Sequence, residues 1–131
     1  MRERKLDFDD FFDYMRNAAR SVLCPQALAK ALCDCAEERS DQDRKWGDQS
    51  DHHLGGWHAI LAEEFGEVSK EVCELIFSPP GPIRTQIGAK LRKELVQTMA
   101  VCAAFIEAGD EKGWGNWPFE THLKHVGKED S

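Results

Sequence analysis

The chain has 131 residues, with 17 Lys and Arg against 24 Asp and Glu, a net charge of -7 and 41% hydrophobic residues. That length suits one domain able to bury roughly two-thirds of the surface its unfolded form exposes. The acidic balance excludes a nucleic-acid polymer as the expected partner, because such binding draws its affinity from Lys and Arg displacing condensed counterions. Small polyanions held through a divalent cation stay open.

Helical periodicity recurs along the chain and no alternating strand interrupts it, which predicts an all-α fold, an antiparallel bundle of about four main helices. A first helix over about 5–23 repeats Phe8, Phe11, Phe12, Met15, Ala19, Val22 and Leu23 on one face. Its opening Arg2, Arg4 and Lys5 are followed by Asp7, Asp9 and Asp10 where a signal peptide would turn apolar, so a cytoplasmic location is expected. Pro25 can open the next helix, about 25–45, which carries Leu28, Ala31, Leu32 and Cys35 and then becomes polar from Glu37 to Lys45.

Residues 46–56 have loop composition, and a third helix is expected over about 57–77. Ser78-Pro79-Pro80-Gly81-Pro82 is a hard stop, and a fourth helix follows over about 83–108, with Gly109-Asp110 as its cap. Its apolar run from Met99 to Ile106 is far shorter than the ~20 residues that cross a bilayer, so no membrane segment is expected. Beyond it, Trp114, Trp117 and Phe119 sit among Gly113, Gly115, Asn116 and Pro118, a tail expected to pack back on the bundle or on a partner. The resulting division is a single helical domain over 1–126, with an aromatic extension over 110–126, and a disordered tail at 127–131.

Cysteines 24, 33, 35, 73 and 102 are odd in number and contain no C-x-x-C pair. Buried thiols are the expectation, since Cys33 and Cys35 with His52, His53 or His58 do not reproduce the spacing of a zinc finger or ribbon.

The chemistry lies in the third and fourth helices, at about 100° of rotation per residue. On the third, the apolar seam is Leu61, Phe65, Val68, Val72 and Leu75, and Glu64, Glu67 and Glu71 line one shoulder of it. On the fourth, the seam is Ile87, Leu91, Leu95, Thr98, Cys102 and Phe105, with Glu94 and Gln97 on the corresponding shoulder. An antiparallel hairpin puts equal offsets on the same side. Glu67 lies as far before the Pro-Gly elbow as Glu94 lies after it, so the groups should meet at one level. Carboxylates brought together in this way repel unless a cation sits between them, and an all-oxygen set suits magnesium or manganese rather than zinc.

Glu71 stands as a further ligand or as a group behind the ligands, and Glu63 falls on the solvent side.

The stretch Glu63-Glu64-Phe65-Gly66-Glu67 resembles the EExxE block of the MazG-like, all-α nucleoside triphosphate pyrophosphohydrolases. Glu94-Leu95-Val96-Gln97 stands where that family has ExxD, and Asp43 to Gln49 looks like the segment leading into it. The likeness spans about 37–108. It implies Mg2+-dependent cleavage of a nucleoside triphosphate or deoxynucleotide between the α and β phosphates, giving a monophosphate and pyrophosphate. It also implies Glu64, Glu67 and Glu94 as catalytic metal ligands, a homodimer or homotetramer, and a site near the subunit interface. For such a substrate Lys90, one turn before Glu94 on the same shoulder, is the best-placed phosphate contact, with an i,i+4 ion pair to Glu94 as the alternative, and Trp46 and Trp57 could stack on a base, although an aromatic at a helix start is more often core or interface. Gln97 departs from the pattern, keeping an oxygen donor but losing a charge. A helical nucleotide-binding or regulatory protein with weak or no activity is the alternative that this departure favours.

Overall fold

The computed structural model describes residues 9, 10, 13, 14, 17, 25–49 and 51–117. Most of the expected first helix, Cys24, Phe119 and the C-terminal tail therefore lie outside the described residues. Among the described residues three long helices follow one another, α1 (Pro25–Trp46), α2 (Leu54–Phe77) and α3 (Pro82–Lys112), with a 3-10 turn at Trp114–Asn116. Among the described residues there is no strand, and no helix is long and apolar enough to cross a membrane.

The chain divides into two compact units, residues 1–34 and 35–131, the division falling within α1. In the first, Lys30 pairs with Asp34 one turn on, at 3.1 Å. The second is built on the α2–α3 hairpin.

Two helix ends differ from the sequence expectation, each for a visible reason. α2 begins at Leu54 and takes Gly55 and Gly56 into its first turn, because the imidazole Nδ1 of His53 accepts from the Gly56 N–H at 3.0 Å and caps it. α3 runs past Gly109 to Lys112, where Gly113 at φ 83° ends it. Gly109 is needed for contact rather than for termination. A Cβ there would stand 2.3 Å from the Trp114 ring, which folds back over the helix.

At the elbow, one Nη of Arg84 donates to the carbonyls of Leu75 and Ser78, at 2.7 and 2.6 Å, satisfying acceptors that the end of α2 leaves open. The hairpin is antiparallel with a fixed register: Trp57 packs with Ala104, Glu67 meets Glu94, and Glu71 pairs with Lys90. The same register sets Gln97 level with Glu64.

The face that joins the two helices takes in only part of the apolar seam: Leu61, Val68, Leu91 and Phe105 are half-buried, and Phe105 packs on the core, but other apolar residues stay open. Phe65 is 66% exposed and Leu95 46%, while Val72, Ile76 and Ile106 are exposed as well. The covered residues are Trp57 and Glu71 on α2, and Glu94, Ala100, Val101, Ala104 and Ala108 on α3. Contact is thus turned toward the carboxylate shoulder, by roughly 60° on α2 and roughly 100° on α3. Size complementarity explains the turn. Ala104 and Ala108 form a small-residue strip along α3 that admits the indole of Trp57, only 1% exposed, beside the ring of Phe105 at 5.4 Å. Hydrophobic counting cannot see that preference, and it leaves one apolar side of the hairpin open.

Candidate functional site

Glu64, Glu67 and Glu71 occur at spacings of three and four, which keeps them on one side of α2, while Glu94 reaches the same side from α3. Burial differs among them: Glu71 is 2% exposed and Glu94 8%, Glu64 is half-buried, and Glu67 is exposed. Each of the first three carries one carboxylate oxygen, Oε2, that is buried and without a hydrogen-bond partner. Such atoms cost free energy unless something fills the coordination.

Their electrostatics show that the groups stand together. Burial pushes the Glu64 carboxyl above the ordinary range, and the charges of Glu94, Glu67, Glu63 and Glu38 push it further. The Glu94 carboxyl is also raised, first by burial, then by the charge of Glu67 and a hydrogen bond with it, with Glu71 adding and Lys90 opposing. Glu38, from the polar half of α1, was not among the residues singled out in the sequence. Its signal is weak, one of several acids in a charged run that reads as a solvated face.

Lys90 does not make the i,i+4 pair with Glu94. Its Nζ lies 2.9 Å from Oε1 of Glu71 on the facing helix, a cross-hairpin ion pair in place of an i,i+4 pair with Glu94. That hydrogen bond raises the Lys90 ammonium above its ordinary value. Glu71 is thereby half satisfied, and its position is behind the other carboxylates along the hairpin. Gln97 is half-buried one turn beyond Glu94.

Beside the carboxylates is a cavity of about 430 Å³, whose walls include Trp46, Asp48, Gln49, His52, Ile60 and Glu64. Glu64 belongs to both features. Trp46 is exposed at the end of α1, with the Lys45 ammonium 4.8 Å from its ring centroid, whereas Trp57 belongs to the core. A second, smaller cavity of about 250 Å³ is lined by Arg39, Trp57 and Glu107 and shares the Asp48–Gln49 wall. There Arg39 donates its Nε to Glu107 at 2.9 Å and an Nη to Asp43; burial opposes its charge, but these partners hold it above its ordinary value.

The oxygen donors suit a hard divalent cation in chemistry and in unmet bonding capacity. Among the described residues, however, no three His, Cys, Asp or Glu side chains converge as they stand to hold one ion. Ligation calls for side-chain rotation, which the exposed Glu67 is free to make. Of the thiols expected to be buried, Cys35 is, and burial chiefly raises its pKa, whereas Cys33 and Cys73 are exposed because they lie on outward faces of their helices and Cys102 is half-buried. Comparison of the chain with protein families, with curated proteins and with solved structures returned no match in any of the three.

Proposed function

We propose that the protein is a Mg2+-dependent nucleoside triphosphate pyrophosphohydrolase, adding water across the α–β phosphoanhydride to release a monophosphate and pyrophosphate. The observation that carries this reading is the double membership of Glu64. It joins a set of unsatisfied buried carboxylate oxygens to a cavity whose volume falls in the range of about 300–1,000 Å³ usual for small-molecule sites. A molecule with an anionic end and a heterocyclic end fits that pair of features. The resemblance of the Glu63–Glu67 and Glu94–Gln97 blocks to MazG-like enzymes supports it independently.

Glu64, Glu67 and Glu94 would hold Mg2+ or Mn2+, with the amide oxygen of Gln97 as a neutral donor. When bound, the cation supplies charge neutralisation of the phosphates and a water of lowered pKa. Of the chain's own groups, Glu71 holds the Lys90 ammonium at the edge of the cluster, where it can meet a phosphate oxygen. Trp46 offers an exposed ring to a base at the cavity mouth. The open apolar side of the hairpin supports a homodimer or homotetramer, and light scattering on Phe65→Ser against the parent chain tests it by loss of the oligomer.

Activity is tested by pyrophosphate release from a panel of ribo- and deoxynucleoside triphosphates with Mg2+. No release above a Glu67→Ala control with any of them would remove the proposal. Gln97 favours a second reading, a nucleotide-binding protein of low or no turnover. Nucleotide binding without pyrophosphate, together with a gain of turnover in Gln97→Asp, would establish it.

A further inference from the structure

The aromatic extension lies outside the family-like blocks, and the reading above gives it no task. The connection between α1 and α2, residues 47–49 and 51–53, supplies three walls of the larger cavity, Asp48, Gln49 and His52. Among its described residues, Gly47 N–H donates to the Asp43 carbonyl at 2.9 Å and His52 N–H to Gln49 at 3.3 Å, while His53 is tied to the start of α2 by the Trp57 N–H on its carbonyl at 3.0 Å and by its cap on Gly56. A further tie comes from 65 residues later. The indole Nε1 of Trp117 donates to the His52 carbonyl at 3.3 Å. The His52 imidazole meanwhile sets its edge on the Trp57 ring, with centroids 5.2 Å apart.

Trp117 is itself held. It is buried in the core with Trp57, Ala104 and Ala108, and its ring meets Phe105 at 5.5 Å and Trp114 at 5.4 Å. Gly113, at positive φ, turns the chain back, and Gly109 leaves the space into which Trp114 folds. Trp114 then donates its Nε1 to Asp110 at 2.9 Å. The extension is therefore built to return to the helix end and grip one carbonyl of the cavity loop.

We infer that Trp117 is a positioning residue for the cavity: its indole N–H fixes the His52 carbonyl, and through it the Asp48–His52 wall on which nucleoside binding depends. The inference rests on the nucleotide reading for the identity of the ligand, and on geometry alone for the positioning. Losing one hydrogen bond of this kind while keeping the ring changes a local equilibrium by about five- to tenfold.

The test compares the full-length protein with Trp117→Phe, which keeps an aromatic ring and removes the donor, and with Trp114→Phe, which leaves the His52 bond intact. Amide hydrogen exchange is read over 47–53 and over α2, and AMP, CMP, GMP and UMP are titrated with Mg2+ present. In Trp117→Phe, exchange at 47–53 should rise about five- to tenfold with α2 unchanged, and the Kd for the monophosphate that binds should weaken by a similar factor. The Mg2+ midpoint should not move. Trp114→Phe should leave 47–53 as in the parent. Unchanged exchange at 47–53 in Trp117→Phe, or an equal rise in α2, overturns the inference. Loop-specific exchange with no monophosphate bound to any of the proteins supports the positioning and tells against the nucleotide reading instead. Should Trp117→Phe fail to fold, a chain ligated at Cys102 with benzothienylalanine at position 117, which replaces the N–H by sulfur in the same ring shape, carries the same expectations.

Discussion

Glu94→Gln should make the metal-free protein more stable at neutral pH, although it removes a buried polar contact of the native chain. Glu94 is 8% exposed, with one oxygen unpartnered, and it faces Glu67 across the hairpin with Glu64 nearby. Two unit charges about 4 Å apart, as in a hydrogen-bonded carboxyl pair, repel by about 1 kcal/mol in water and about 4 kcal/mol at an effective dielectric of about 20. The exposure of Glu67 places the value toward the lower end. The amide also keeps a donor for the Glu67 carboxylate, so the expected gain is about 1–2 kcal/mol, or about 3–8 °C in Tm for a domain of this size.

The pH dependence has a definite sign. Folding raises the Glu94 carboxyl above its ordinary value of 4.5. Below that value the group is protonated in both states and the parent holds its full share of stability; that share is lost as pH rises through the raised value. Parent and variant should therefore converge near pH 4 and separate toward pH 7.5, as read by thermal melts in EDTA. Mg2+ should close the gap by stabilising the parent alone. A variant that melts below the parent at pH 7.5 in EDTA would show that Glu94 is held by its contacts rather than opposed by its neighbours, and the cluster would lose its reason to bind a cation.

Lys90→Met should lower Tm by several degrees, since it strands the Glu71 carboxylate without a counter-ion, and adding Glu71→Gln should restore most of the loss in a double-mutant cycle. Gly109→Ala should cost about 1–3 kcal/mol in denaturant melts, because the new methyl must displace the Trp114 ring, and tryptophan emission should shift red as that ring leaves the helix. His53→Ala should cost about 1 kcal/mol by removing the cap of α2, with the loss seen first in exchange of the Gly56 amide.

The helices were legible because their periodicity and the Pro-Gly elbow are local signals, and the hairpin register followed from counting outward from that elbow. That register is enough to set Glu67 against Glu94. Which face joins the hairpin was not legible, because the seam rule weighs apolar residues and the contact is decided by alanines that admit one large indole. The partner of Lys90 escaped for a related reason. An i,i+4 neighbour on the same helix is visible in the sequence, whereas Glu71 across the hairpin comes within reach only once the contact face is known. The walls of the cavity, Asp48, Gln49 and His52, lie in a connection with no period, and their placement depends on an indole 65 residues away.

The Arg84 clamp at the elbow has a reach beyond the turn it ties. By gathering the last carbonyls of α2, it makes the proline-rich bend a fixed ruler rather than a hinge. Every rung above it, from Lys90 to Trp57, is measured from that origin. A slip of one residue would bring Glu94 abreast of Gly66, which has no side chain to share.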